Sequence, residues 1–237
     1  AYEWRGVDAE LMESATVTRL RTGAATAVAA RHLARPDAAT ACLCGSGVQA
    51  AIQLRALARV RPLRGVRIWN RSPQRAVEFA AAMSAEFSLR IEAFARLEDA
   101  TRDADIIVTC TPAKSAFLRP EHVNPGAFVA AVGADSPDKS EIDPALLGRA
   151  AVVCDLLAQC REVGDLHHAL AAGTMRVEDV RAELGAVIAG LAPGRKSADE
   201  IVVFDSTGTA LQDAAAAVLV YERALAEKCG TRFGFWS

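Results

Sequence analysis

The stretch Thr40-Ala41-Cys42-Leu43-Cys44-Gly45-Ser46-Gly47-Val48-Gln49-Ala50 decides the fold. A short run of small apolar residues leads into Gly-x-Gly-x-x-Ala, and a helix-compatible segment follows at once. That order serves a dinucleotide. A strand delivers the backbone into a tight turn at Gly45, and Gly47 lacks the Cβ that would hold a pyrophosphate off the main chain. The next helix aims its free N–H groups and positive dipole end at the phosphates. Glycine-rich turns are common, and the bland alternative is a tight turn in a fold that binds nothing. The strand before the turn, the helix after it and a second strand at 66–69 lie within one βαβ length, which favours the dinucleotide reading.

Working outward, an Ala-rich segment at 16–33 carries Leu20, Ala24, Ala27 and Val28 at helical spacing and is broken by Arg35-Pro36-Asp37. Helix 48–60 and strand 66–69 follow, and Ser72-Pro73 opens a helix to about 87, with Ser as N-cap and Pro in the first turn. A weak strand at 90–94, a short helix at 97–100 and strands at 104–110 and 127–132 come next. Asp143-Pro144 opens a short helix before a buried strand at 151–154. The segment 180–193 reads as a helix and surface excursion, ahead of a strand at 200–204 and a long Ala-rich helix at 210–226. Strands that alternate with helices, without polar alternation of their own, predict a parallel sheet covered on both faces. The expected fold is α/β, a Rossmann-type doubly wound sheet flanked by helices from a partial second, discontinuous domain. Residues 1–35 are assigned to that partial substrate and dimerisation unit, 36–199 to the dinucleotide-binding domain, and 200–237 to a return strand and C-terminal helix.

Composition narrows the function. The chain of 237 residues is 51% hydrophobic, 24% charged and only 5% aromatic, so its core is built from Ala, Val, Leu and Ile. A net charge of -2 offers no field for nucleic acid or an anionic membrane surface. No apolar run reaches the roughly 18 residues of a membrane span. The first residues lack a signal-peptide pattern, so a cytoplasmic protein is expected. Of six cysteines, Cys42 and Cys44 sit in the buried strand and are assigned to opposite sides of the sheet. No Cys-x-x-Cys exists, so buried free thiols are expected and no metal site.

The second strand of NAD-binding units ends in an acidic residue that accepts from the ribose hydroxyls. Here that place holds Asn70-Arg71-Ser72. Arg71 can pair with a 2′-phosphate and stack on adenine, and Ser72 can donate a hydrogen bond, which favours NADP. The alternative is a solvated Arg71 and binding of NAD with little discrimination.

Further motifs keep a fixed order: Arg19-Leu20-Arg21-Thr22-Gly23-Ala24, the glycine turn, Ile68-Trp69-Asn70-Arg71, and Val108-Thr109-Cys110-Thr111-Pro112. Val132-Gly133-Ala134-Asp135-Ser136-Pro137-Asp138-Lys139-Ser140-Glu141 and Val203-Phe204-Asp205-Ser206-Thr207-Gly208-Thr209-Ala210-Leu211-Gln212-Asp213 complete the series. Together they resemble the ornithine cyclodeaminase and mu-crystallin family, from about Leu11 onward. The resemblance implies a Rossmann domain plus a dimerisation and substrate domain, hence a homodimer, and NAD(P)-linked chemistry at a C–N bond of a small amino or imino acid. It implies that Arg21 holds the substrate carboxylate and that Asp135 stands beside the reacting carbon. There a carboxylate stabilises a cationic iminium and manages the amine proton. The plain alternatives are an exposed helix arginine and an Asx turn before Pro137. Cofactor contacts are assigned to Thr22, to Gly45 and the Ser46, Gly47, Val48 and Gln49 amides, and to Asn70, Arg71 and Ser72. Thr109, Cys110 and Thr111 are assigned to the nicotinamide ribose, and Val132, Gly133, Ser206 and Thr207 to the nicotinamide end. His167 and His168 read as helix surface. A lysine and a second arginine that the family draws from its N-terminal third have no counterpart here, so that third is expected to be absent from this chain. The leading reading is a ketimine reductase or amino-acid dehydrogenase. Ornithine or lysine cyclodeamination is the alternative within enzymes, and a mu-crystallin-like binding protein without turnover is the alternative outside them.

Overall fold

The computed structural model describes residues 12–231. In chain order the elements are α1 (Ser14–Leu33), β1 (Thr40–Cys44), α2 (Val48–Ala58), β2 (Gly65–Trp69), α3 (Pro73–Glu86), β3 (Arg90–Phe94), α4 (Leu97–Thr101) and β4 (Ile106–Thr109). They continue with β5 (Phe128–Ala131), α5 (Pro144–Leu147), β6 (Ala151–Cys154), α6 (Leu157–Val163), α7 (Asp165–Ala171), β7 (Ala182–Glu183), α8 (Leu184–Ile188), β8 (Val202–Asp205) and α9 (Ala210–Glu227). The eight strands form one sheet in the order β3-β2-β1-β4-β5-β8-β6-β7. Every ladder in it is parallel. β1 lies between β2 and β4, so the winding reverses beside the glycine turn, where open α/β sheets leave a crevice for ligands.

Both faces are covered, as the unbroken burial of β4, β5, β6 and β8 requires. On one face Leu43, Ile68, Val108, Phe128 and Phe204 pack with Leu33 of α1, Leu54 and Leu57 of α2 and Met83 of α3. On the other, Ile107, Val129 and Val203 meet Leu146 and Leu147 of α5 and Leu166 of α7. Cys42 and Cys44 both belong to this second cluster. Their assignment to opposite sides is therefore wrong, because residues two apart on a strand share a face. All six cysteines are free, and four of them are buried.

Local chemistry explains the element ends. The Glu13 carboxylate caps α1 by accepting from Ala15 N and Thr16 N at 2.7 and 2.8 Å, so the helix starts two residues before the expected position. Ser72 precedes Pro73 at the start of α3 but makes no capping bond; Asn70 Oδ1 instead accepts from Ser72 N at 2.8 Å. Within 180–193 the sequence reading missed a strand. β7 has only two residues, pairing Ala182 and Glu183 with Val153 and Cys154, too few for a periodic signal. β8 stands inside the sheet between β5 and β6. α9 lies against α1, where Arg21 Nε pairs with Asp213 Oδ1 at 2.9 Å. Leu211, Val218 and Leu219 of α9 remain more than half exposed, as does Leu20 of α1. Among the described residues no helix is long and apolar enough to cross a membrane, and no cluster of His, Cys, Asp and Glu could hold a metal ion.

Candidate functional site

Register brings the sequence-predicted residues to one edge of the sheet. Cys44 aligns with Trp69 on one side and Thr109 on the other, Thr109 aligns with Ala131, and Ala131 with Asp205. Gly45, Asn70, Cys110, Val132 and Ser206 each come one residue beyond these level ends. They begin five loops that share the carboxyl edge.

The glycine turn is wedged between its neighbours. Gly45 adopts φ +131°, and its N–H donates to Trp69 O at 2.8 Å. A Cβ there would lie 2.9 Å from Cys110 O, so both conformation and space demand glycine. A Cβ on Gly47 would meet nothing within 4 Å. Gly47 is also the N-cap of α2, and no side chain caps that helix. The first amides of α2, those of Val48 and Gln49 included, thus lack intrahelical acceptors beside the open space at Gly47. A pyrophosphate fits this cradle, because an anion supplies the missing cap and meets the positive end of the helix.

Asn70 Nδ2 donates to Ser46 Oγ at 2.8 Å, which ties the end of β2 to the turn. Arg71 is exposed and makes no ion pair among the described residues. Thr109 is fully buried at the end of β4. Cys110 is half-buried, and burial pushes its thiol pKa up, so it is an inert wall group. Thr111 N and Oγ1 both donate to Glu141 Oε1 at 2.6 Å, and Gly133 N donates to Glu141 Oε2 at 2.8 Å. Val132 N is taken up by Thr109 O at 2.9 Å. Ser206 and Thr207 are nearly buried, and their hydroxyls turn toward Asp155 at 3.5 and 3.1 Å. Thr22 Oγ1 donates back to Thr18 O at 2.7 Å. These three hydroxyls are engaged within the protein.

Asp135 is exposed, and its Oδ1 lies 2.5 Å from Lys139 Nζ. Arg21 is only 14% exposed; Asp213 holds its Nε and Gln212 Oε1 its Nη1 at 3.3 Å, which leaves Nη2 without a partner among the described residues. The guanidinium reaches the loop after β8, because a Cβ on Gly208 would sit 2.4 Å from Arg21 Nη1. Arg21 is therefore no free surface arginine but a fork held in place at the sheet's carboxyl edge. His167 and His168 are half-buried rather than surface residues; His168 Nε2 lies 2.8 Å from Lys139 O.

Sequence reasoning overlooked the carboxylates beneath these loops. Glu141, Asp165 and Asp205 are buried, and burial is the first cause that pushes each carboxyl up, Glu141 to about 7 and Asp165 to about 6. For Glu141 the charge of Asp165 adds to the rise, and the hydrogen bonds from the Thr111 hydroxyl and amide oppose it. The signal is present in the same motif, with Lys139 four and Glu141 six residues beyond Asp135, but the sequence reading assigns roles there to Val132, Gly133 and Asp135 and none to Glu141. Asp205 stands in the last of the ordered motifs without a role there, and nothing local announces Asp165; the partners of both lie on other elements.

Residues 4–228 match the model of the ornithine cyclodeaminase/mu-crystallin family. A Rhizobium meliloti protein named only as a dehydrogenase is 47% identical over 96% of this chain and 69% of its own length. A solved archaeal alanine dehydrogenase dimer with bound NAD superposes with a TM-score of 0.91 at 38% identity, covering 95% of this chain and 69% of that one. The Thermococcus litoralis Δ1-pyrroline-2-carboxylate reductase, solved with NADH and L-proline, gives 0.90 at 32% identity, covering 94% and 69%. The chain thus spans about 69% of the length of these relatives.

Proposed function

Because the chain belongs to the ornithine cyclodeaminase/mu-crystallin family, we propose that it is an NAD(P)-dependent oxidoreductase acting on a C–N bond. Its substrate is a small cyclic ketimine such as pyrroline-2-carboxylate, or an amino acid that it interconverts with the imino or keto acid. One observation carries the reading: the uncapped N-terminus of α2, open at Gly47, shares a single sheet edge with Asp135 and the half-buried fork of Arg21.

When bound, the nicotinamide dinucleotide supplies or accepts the hydride. The amides from Ser46 to Gln49 hold its pyrophosphate, and Gly45 keeps the turn narrow. Thr22 stands with these amides on the phosphate side, and Thr109, Cys110, Thr111, Val132, Gly133, Ser206 and Thr207 form the wall along its nicotinamide half; the engaged hydroxyls among all of these shape loops rather than donate to the ligand. Arg21 offers Nη2 to the substrate carboxylate, while Asp213 keeps the fork from turning. Asp135, held by its ion pair with Lys139, stabilises positive charge on the substrate nitrogen and holds or releases the amine proton at its carboxylate.

Arg71, exposed beside Asn70 and Ser72 with no carboxylate among the three, favours NADP. NAD is the second reading, and it is the form in the solved relatives. The exposed leucines of α9 and α1 suit a homodimer face or cover by further chain of the same second unit, to which residues 1–35 are assigned, with 36–199 and 200–237 as the nucleotide domain and its return strand and helix. Placement in the cytoplasm completes the proposal.

The test is NAD(P)H oxidation with Δ1-pyrroline-2-carboxylate, followed by absorbance, beside an Asp135→Ala control. Steady oxidation that the control loses supports reduction. Ammonia release from ornithine without net cofactor change favours cyclodeamination. Nucleotide binding without turnover on any imine leaves a binding protein and ends the enzyme reading.

A further inference from the structure

Three buried carboxylates run in series beneath the candidate site, and none is paired with a lysine or arginine among the described residues. Glu141 is the first. Its Oε1 takes both donors of Thr111, two residues beyond β4, and its Oε2 takes the amide of Gly133, two residues beyond β5. One carboxylate thereby bridges the loops that leave two neighbouring strands. The contact is close enough to forbid a side chain at 133: a Cβ there would lie 2.5 Å from Glu141 Oε2 and 2.4 Å from Thr111 O. Behind it, Asp165 Oδ1 accepts from Glu141 N at 2.8 Å, and Asp205 accepts from Asp165 N and Leu166 N at 3.3 and 2.9 Å. Asp165 Oδ2 is buried without any partner.

A buried carboxylate without a cation is costly, and a core position needs none. What this position does need is acceptors on both oxygens. Three donors converge on Glu141, and a neutral amide would turn an NH2 group toward one of the two loops.

We infer that Glu141 is a positioning residue for the C–N reaction, fixing the loop that carries Thr111 against the loop that carries Gly133 and Asp135. The inference depends on the reading in the preceding subsection, which assigns the first loop to the nicotinamide ribose and Asp135 to the substrate nitrogen. Glu141 touches neither. It acts through Gly133, whose carbonyl accepts from Asp135 N at 3.2 Å, so a displacement at Gly133 passes directly to the aspartate. The titratable groups that face Glu141 are Asp165 of α7, Cys44 at the end of β1 and Cys110 after β4; His168 of α7 faces Asp165 in turn.

The test compares the full chain with Glu141→Gln and Glu141→Asp, using NADH and Δ1-pyrroline-2-carboxylate. Three readouts are taken: NADH affinity from energy transfer out of protein tryptophan, kcat and KM across pH, and amide exchange by mass spectrometry. In Glu141→Gln the affinity for NADH holds, because the cradle at residues 45–49 is untouched, while kcat falls about a hundredfold. Exchange at Thr111 and Gly133 rises about tenfold with β1 and α2 unchanged. The acidic limb of the wild-type kcat profile disappears, and Glu141→Asp, which keeps the charge, restores part of the rate. Parallel losses of NADH affinity, kcat and protection throughout the sheet would mean a structural role only and would overturn the inference, as would wild-type kcat in Glu141→Gln. Wild-type protein that binds no NADH sinks the preceding reading instead, and the exchange at Thr111 and Gly133 then judges the bridge alone.

Discussion

Glu141 makes the stability of this protein depend on pH in a direction opposite to that of most carboxylates. In the unfolded chain its carboxyl titrates near the ordinary 4.5, whereas in the fold burial and the charge of Asp165 raise it to about 7. Between those values the folded state keeps a proton that the unfolded state has lost. The stabilisation is present in full below about 4.5, shrinks as pH rises, and is gone above about 7. The gap corresponds to about 3 kcal/mol. Glu141→Gln has no such group, so the unfolding free energy of the variant relative to wild type should climb by about 3 kcal/mol from pH 4.5 to pH 8. In a chain of this length that is about 6–12 °C in Tm. Hydrogen bonds lost by the glutamine displace the whole difference but give it no slope. Urea unfolding of both proteins at pH 5, 6, 7 and 8 measures the slope directly. Asp165→Asn, which removes the neighbouring charge while its amide oxygen can still accept from Glu141 N and Ile142 N, should reduce it. A free-energy difference that stays flat within 1 kcal/mol across that range refutes the reasoning.

Other positions separate the cradle from the chemistry. Gly45→Ala should cost about 1–3 kcal/mol in urea unfolding, because φ +131° and the Cys110 carbonyl 2.9 Å from the new Cβ both oppose it; a neutral result would mean that the turn relaxes freely. Gly47→Glu should leave stability within about 0.5 kcal/mol, since its Cβ meets nothing within 4 Å, yet weaken NADH binding about a hundredfold by charge repulsion. Retained affinity in a fluorescence titration would place the pyrophosphate elsewhere. Arg71→Ala should lower NADPH affinity about tenfold and leave NADH unaffected, and equal losses for both would count against a 2′-phosphate partner.

The fold was legible wherever local chemistry determines it. Glycines at 45 and 47 between an apolar run and a helix marked the turn that the fold sets where the winding reverses, and unbroken runs such as Ile106-Ile107-Val108 marked strands buried on both faces. β7 was not legible, because two residues carry no period and their place is set by the ladder to β6. Site residues divide in the same way. Arg21 and Asp135 lie in motifs with a recognisable order, and so do Lys139 and Asp213, but nothing in that order says that these residues pair. Asp213 lies 192 residues from Arg21, and only the packing of α9 on α1 brings them together. Ser206 and Thr207 read as ligand contacts from their position after a strand, but Asp155, more than fifty residues earlier, turns their hydroxyls inward. Sequence position locates the edge on which a side chain stands; tertiary contacts determine what remains of its hydrogen-bonding capacity.

That distinction bears on why the buried carboxylates persist. A core optimised for stability would replace Glu141 with an apolar or amide side chain and gain at neutral pH. The ionised form instead collects the amides of two loops, and it does so most completely above about pH 7, where its contribution to folding is least favourable. Stability and loop geometry therefore pull the same carboxyl in opposite directions. The geometry prevails because Thr111 and Gly133 would otherwise leave half-buried donors unsatisfied on both sides of the crevice, each costing up to about 1–3 kcal/mol. A site of this kind should work best toward the alkaline side of neutrality, in a protein whose fold is firmer in mild acid.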